Sequence, residues 1–127
     1  MSEQAFSVVT GTWAVVRLPS AARIPAWAAD AREFSSVTRT MDELSIVVEE
    51  SIIPPDQPRE GNWSLLKLRG PIAFDQVGVL ASVAAPLASQ DISIFAISTF
   101  ETDYLLVKSL DVDRARDCLE AAGHTLI

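Results

Sequence analysis

One cysteine, one histidine and one asparagine occur in 127 residues, and each scarcity removes a class of function. Cys118 alone cannot close an internal disulfide, and Cys118 and His124, the only residues of their kinds, show no metal-ligand spacing. Cys118 stands beside a core-facing Leu119 on a helical pattern and reads as a packed thiol. Basic residues are also few: ten Lys and Arg against seventeen Asp and Glu leave a net charge of −7, which repels phosphate backbones and excludes nucleic acid as a partner. No apolar run approaches the ~20 residues that cross a bilayer, so no membrane span is expected. The N-terminus lacks the basic start and apolar run of a secretory signal, and the expectation is a soluble cytoplasmic protein. Neither a phosphate loop nor a nucleophile elbow is present, and Asp111-Val112-Asp113 lacks the glycine and terminal glutamate of a calcium loop. No enzyme, no metal and no cofactor is expected.

What is present is a hydrophobic content of 49%, enough for a packed core. The stretch from Trp63 to Lys108 reads as strand, turn, helix, strand, turn, strand. Leu65-Leu66-Lys67-Leu68 is a short strand ended by Arg69-Gly70-Pro71. Asp75 is placed to cap a helix running roughly from Gln76 to Ser89, with Val77, Leu80, Ala84, Leu87 and Ala88 on one face and a bend at Pro86. Two β-rich runs follow, Ile92 to Ser98 and Asp103 to Lys108, joined by Thr99-Phe100-Glu101-Thr102. Both faces of the first of these runs are apolar, so a partner module or a second chain is expected to cover it.

An internal repeat relates the two halves. Gly11-Thr12-Trp13-Ala14-Val15-Val16-Arg17-Leu18 matches Gly61 to Leu68 at a constant spacing of 50, and Val37-Thr38-Arg39 through Val48 matches Ile97 through Lys108 at a spacing of 60. The first copy offers only Ile24 to Ala31 as a short helix opened by Pro25. Where the second copy has a helix capped by Asp111, with Val112, Ala115, Leu119 and Ala122 on its face and Gly123 at its end, the first has Pro54, Pro55 and Pro58. Phe6 to Thr10 is expected to fold back through Gly11 onto Thr12 to Leu18 and fill the vacant strand position. The fold class is α+β: two βαββαβ modules in tandem, the first degenerate (1–60) and the second complete (61–127).

Leu66-Lys67-Leu68, Phe74 to Leu80, Pro86-Leu87-Ala88, Ile92-Ser93-Ile94 and Ile97 to Val107 together resemble the ACT domain. The resemblance is to its tandem branch, with the aspartate-kinase-type modules and the cytosolic arginine sensors. It covers Trp63 to about Leu110 strongly and reaches the first half through Asp42 to Val47. It implies ferredoxin-like modules and a small-molecule ligand, usually an amino acid, held between modules or between subunits and reported to a regulated protein partner. The arginine-sensing relatives have four modules, so a homodimer of this two-module chain would rebuild their arrangement.

The residues themselves suit an amino acid. Backbone N–H groups of Val77, Gly78 and Val79 at the expected helix start favour a carboxylate, and Gly78 allows close approach. Asp103 can accept hydrogen bonds from an α-ammonium group, and Ser98 and Thr99 bring hydroxyls nearby. Gly78 could equally serve close packing, Asp75 only a cap and Asp103 only a strand start. The resemblance places ligand contacts on Gln76, Val77, Gly78, Val79, Thr99, Phe100 and Asp103. Relatives that bind arginine carry a carboxylate where Gln76 stands; an amide offers no full charge to a guanidinium, which puts arginine in question. Glu43 aligns with Asp103 in the first copy, but no matching helix start stands beside it, and that half is expected to be structural. An acylphosphatase of this topology would need an arginine and asparagine pair, and only Asn62 is present. An RNA-recognition module would need spaced aromatics where Tyr104-Leu105-Leu106-Val107-Lys108 stands. The competing reading is a protein-interaction module of the same fold that binds no ligand.

Overall fold

The computed structural model describes residues 3–127. The chain divides into two compact units, Gly11–Trp63 and Ser64–Ile127, with residues 3–10 joining the latter.

The first unit is built on three strands. β1 (Ala5–Leu18) brings its later residues to it, β2 is Ser36–Arg39 and β3 is Leu44–Glu49. β3 runs antiparallel to β1, with Trp13 opposite Glu49 and Leu18 opposite Leu44, and β2 lies on its other edge. A single helical turn, α1 (Ala26–Ala29), starts after Pro25, whose φ of −61° already suits a helix. Ala14, Val16, Ala28, Leu44, Ile46, Val48 and Ile53 form the core. Trp13 is fully buried, and its indole N–H donates to the Phe34 carbonyl at 2.9 Å.

In the second unit, β4 (Glu60–Leu68) is followed by α2 (Val79–Ser89), β5 (Ile94–Ser98), β6 (Asp103–Lys108), α3 (Val112–Ala121) and β7 (Thr125–Leu126). The sheet order is β1-β4-β6-β5, and β7 pairs with β1. Leu66 and Leu68, Leu105 and Val107 turn one sheet face toward Val79, Val83 and Leu87 of α2 and Ala115 and Leu119 of α3. Both helices end in the same way. Asp91 and Gly123 take left-handed φ values of 56° and 100°, and the N–H groups of the next residues, Ile92 and His124, reach back to the Leu87 and Leu119 carbonyls at 3.0 Å each.

Several expectations are corrected. The N-terminal residues do not turn back at Gly11; β1 is one strand from Ala5 to Leu18, and Gly11 adopts a φ of +116° inside it. Its first residues lie in the second unit, where Phe6 is fully buried, Ala5 pairs with Thr125 in parallel, and the Arg69 N–H donates to the Ala5 carbonyl at 2.8 Å. β7 therefore pairs with this N-terminal strand. α2 begins at Val79, not Gln76, because Gly78 enters the left-handed region at φ +83° and is itself the N-cap; Asp75 caps nothing. The strand expected from Ile92 begins at Ile94, and Ile92 is instead a buried anchor after α2.

The two hairpins share a hydrogen-bond pattern at a spacing of 59. In one, Arg39 faces Leu44 and the Thr40 N–H donates to the Glu43 carbonyl at 2.8 Å; in the other, Ser98 faces Asp103 and the Thr99 N–H donates to the Thr102 carbonyl at 2.8 Å. Leu44, not Glu43, is the counterpart of Asp103, since a one-residue shift moves a side chain to the other sheet face. The first unit thus has no carboxylate at that place. After β3 and β6 each unit makes a short 3-10 turn, Glu50–Ile52 and Ser109–Asp111. Only the second continues into a helix, because Pro54 and Pro55 offer no N–H.

The two helix ends give opposite expectations. Asp91→Gly relieves a left-handed non-glycine residue and raises unfolding stability by about 0.5–1 kcal/mol, whereas Gly123→Ala lowers it by about 1 kcal/mol. Urea denaturation of both variants measures this.

Candidate functional site

The chain leaving β4 passes Gly70 and reaches the start of α2 through residues 71–78, while the β5–β6 turn closes the opposite wall. Thr102 joins the two walls: its buried hydroxyl donates to the Leu68 carbonyl at 2.8 Å, and the Ile72 N–H donates to the Glu101 carbonyl at 2.6 Å. Gly70 suits this close approach, since a Cβ would lie a tight 3.0 Å from the Glu101 carbonyl oxygen and 3.1 Å from the Thr102 Cβ.

Between these walls is a cleft of about 340 Å³. Gln76, Gly78, Val79, Ser98, Thr99, Phe100 and Asp103 line it together. Val77 does not; its side chain is 88% exposed. Lining residues that sequence reasoning did not single out are Ile72, Ala73, Phe74, Leu80, Ala81 and Thr102. Leu80 and Ala81 follow from the later helix start, for which the signal was Gly78. The N–H groups of Val79, Leu80 and Ala81 are the ones without an intrahelical acceptor, because the Ser82 N–H already donates to the Gly78 carbonyl at 2.9 Å. The positive end of the α2 dipole therefore faces the cleft from these residues.

Gly78 has nothing within 4 Å of the position a Cβ would take, so close packing does not explain it. Its φ of +83° does. On the opposite wall the Ser98 hydroxyl donates to Asp103 Oδ1, and the Thr99 hydroxyl donates to the Thr102 carbonyl at 3.1 Å. Asp103 keeps acceptor capacity beyond Ser98, because a carboxylate has about four lone-pair positions. Asp103 is the one charged residue of the lining. Phe74 and Phe100 meet edge to face at 5.0 Å between ring centroids and form the rim, 76% and 79% exposed. No sequence pattern joins Phe74 to Phe100.

Elsewhere, the Cys118 thiol donates to the Pro86 carbonyl at 3.1 Å. Burial pushes its pKa up, and Arg114 offsets this in part. Among the described residues there is no cluster of three or more potential metal ligands and no helix long and apolar enough to cross a membrane.

Two outcomes follow. Thr102→Val leaves the Leu68 carbonyl without its donor and costs about 1–3 kcal/mol by chemical denaturation, while Thr102→Ser retains most of the stability. Cys118, with its raised pKa, holds less thiolate at pH 8 than an ordinary thiol; iodoacetamide labels the folded protein more slowly than a free thiol, and the rate climbs at higher pH.

The family model described as the ACT domain matches residues 59–121, and a second model, described as an N-terminal domain, matches residues 11–56. The structure of protein Atu0741 from Agrobacterium tumefaciens is 42% identical, with a TM-score of 0.93 over 100% of this chain and 94% of that one. An aspartate kinase from Clostridium acetobutylicum shares the fold at 13% identity, with a TM-score of 0.62 over 94% of this chain and 33% of that one. The rat protein named cytosolic arginine sensor for mTORC1 subunit 1 is 37% identical over 59 residues, which are 46% of this chain and 18% of that protein. The chain thus matches less than a fifth of that relative's length. Its few helices on a mostly antiparallel sheet are the α+β, ferredoxin-like arrangement of these modules, and through residues 59–121 the chain belongs to the ACT domain family.

Proposed function

We propose that this chain is a regulatory protein that binds an amino acid in the cleft between the start of α2 and the β5–β6 turn. The observation that carries the reading is that the helix start at Gly78–Ala81 and the Asp103 carboxylate face one cleft of about 340 Å³. The α2 N–H groups suit a ligand carboxylate, and Asp103 suits its ammonium group. Gln76, Ser98, Thr99 and Phe100 contribute further contacts, and Val77 offers its backbone beside them. The name of one relative, a cytosolic arginine sensor, supports amino-acid sensing. Gln76 gives no charge for a guanidinium, so arginine itself is not the favoured ligand.

The organisation belongs to the same proposal. The modules are 1–60 and 61–127, with residues 3–10 of the first serving as part of the second unit, and the separate matches to residues 11–56 and 59–121 support the division near residue 60. The protein acts in the cytoplasm as a homodimer, with the ligand held at an interface between modules or subunits and a regulated protein partner downstream. The apolar rim of Phe74, Val77 and Phe100 supports an interface there. That rim also favours the second reading, an interaction module of this fold without a ligand.

Thermal shift with each of the twenty amino acids separates the two. A ligand at ~100 times its dissociation constant adds ~2.7 kcal/mol of stability, and Asp103→Asn abolishes the shift. No shift from any amino acid leaves the interaction module as the better account, and a monomer at micromolar concentration in sedimentation ends the homodimer proposal.

A further inference from the structure

Pro86 lies inside α2 and has no N–H, so the Ser82 carbonyl one turn earlier lacks its helical donor. Ser82 is buried, and an unpaired carbonyl there would be costly. The donor comes from outside the helix: His124 Nε2 lies 2.8 Å from the Ser82 oxygen. Its other nitrogen, Nδ1, accepts the Gln4 backbone N–H at 2.9 Å. A backbone N–H can only donate and a carbonyl can only accept, so these partners assign one tautomer, with the proton on Nε2 and a lone pair on Nδ1. His124 reaches this place because it follows Gly123 in the turn that ends α3, where its own N–H is tied to Leu119.

Ser82 is in turn bound to the cleft wall. Its N–H donates to the Gly78 carbonyl at 2.9 Å and its hydroxyl to the Val79 carbonyl at 2.6 Å, and both residues line the cleft. We propose that His124 is a positioning residue: its imidazole replaces the N–H that Pro86 cannot supply and, through Ser82, sets where the start of α2 faces the cleft. The importance of that start rests on the amino-acid-binding reading above, but the hydrogen-bond replacement does not. The lone histidine of the chain is thereby neither a catalyst nor a ligand contact. It transmits the position of Gln4, just before β1, to the helix that forms one wall of the cleft.

The test uses nitrogen and amide NMR of the ligand-free full chain. Wild type shows the Nε2–H tautomer of His124. His124→Ala shifts the amide resonances of Gly78–Ser82, and His124→Ala with Pro86→Ala brings them back toward wild type, because residue 86 then donates to the Ser82 carbonyl. An Nδ1–H tautomer, or a His124→Ala spectrum unchanged over Gly78–Ser82 despite a lower melting temperature, overturns the proposal. So does a double variant no closer to wild type than His124→Ala. If His124→Ala does not fold, Pro86→Ala alone carries the test: its helical N–H competes with the imidazole, and the His124 ring resonances must move while those of the β5–β6 turn stay. Failure of every amino acid in the thermal-shift panel leaves these results standing and refutes only the reading of the cleft.

Discussion

The candidate site depends on one buried hydrogen bond, from the Thr102 hydroxyl to the Leu68 carbonyl at 2.8 Å. Leu68 ends β4 and Thr102 ends the β5–β6 turn, 34 positions apart in the chain. Joining them makes the exit of β4 and the turn of the β5–β6 hairpin two walls of one recess. The contact of Gly70 with Glu101 and the Ile72 N–H bond to the same carbonyl extend the junction. A buried carbonyl must find a donor, so this junction is a condition of folding as well as of the cleft.

The start of α2 is held by a second set of constraints. Gly78 breaks the approach by turning left-handed, and Ser82 ties the first turn together by its N–H and its hydroxyl. Pro86 would weaken the middle of the helix, and His124 offsets the loss. One wall is thus set by a turn within a hairpin and the other by a helix whose missing bond is supplied from the end of α3. Asp103 and the α2 N–H groups bring opposite electrostatic signs to the same cleft, which is what a zwitterion requires.

The two units show how one hairpin can serve two ends. Thr40 and Thr99 close their turns with the same bonds, and the strands after them are buried in the same rhythm. Beyond the 3-10 turns they part, because Pro54 and Pro55 stop what Val112 continues. The first unit has Leu44 where the second has Asp103, so it places no carboxylate at that position of the hairpin. Likeness to an aspartate kinase at 13% identity reflects this shared backbone economy, and fold alone assigns no ligand.

Local chemistry is legible from the chain: the likeness around Trp13 and Trp63, the face of α3 from Val112 through Leu119 though not Ala122, which is exposed, the glycine that ends the helix, and the prolines that deny the first half a second helix. Each rests on neighbours a few residues apart, whose effect on backbone conformation needs no distant contact. Gly78 and Asp103 were singled out by residue type, and their meeting at one cleft was an expectation of topology. What the chain could not declare was decided by long-range partners. Gly11 has the composition of a turn, yet pairing on both sides keeps β1 extended through it. Asp75 has the chemistry of a cap, yet the left-handed Gly78 delays the helix past its reach. The role of His124 depends on Gln4 and Ser82, 120 and 42 positions away, and only the packed unit brings those groups within hydrogen-bond distance.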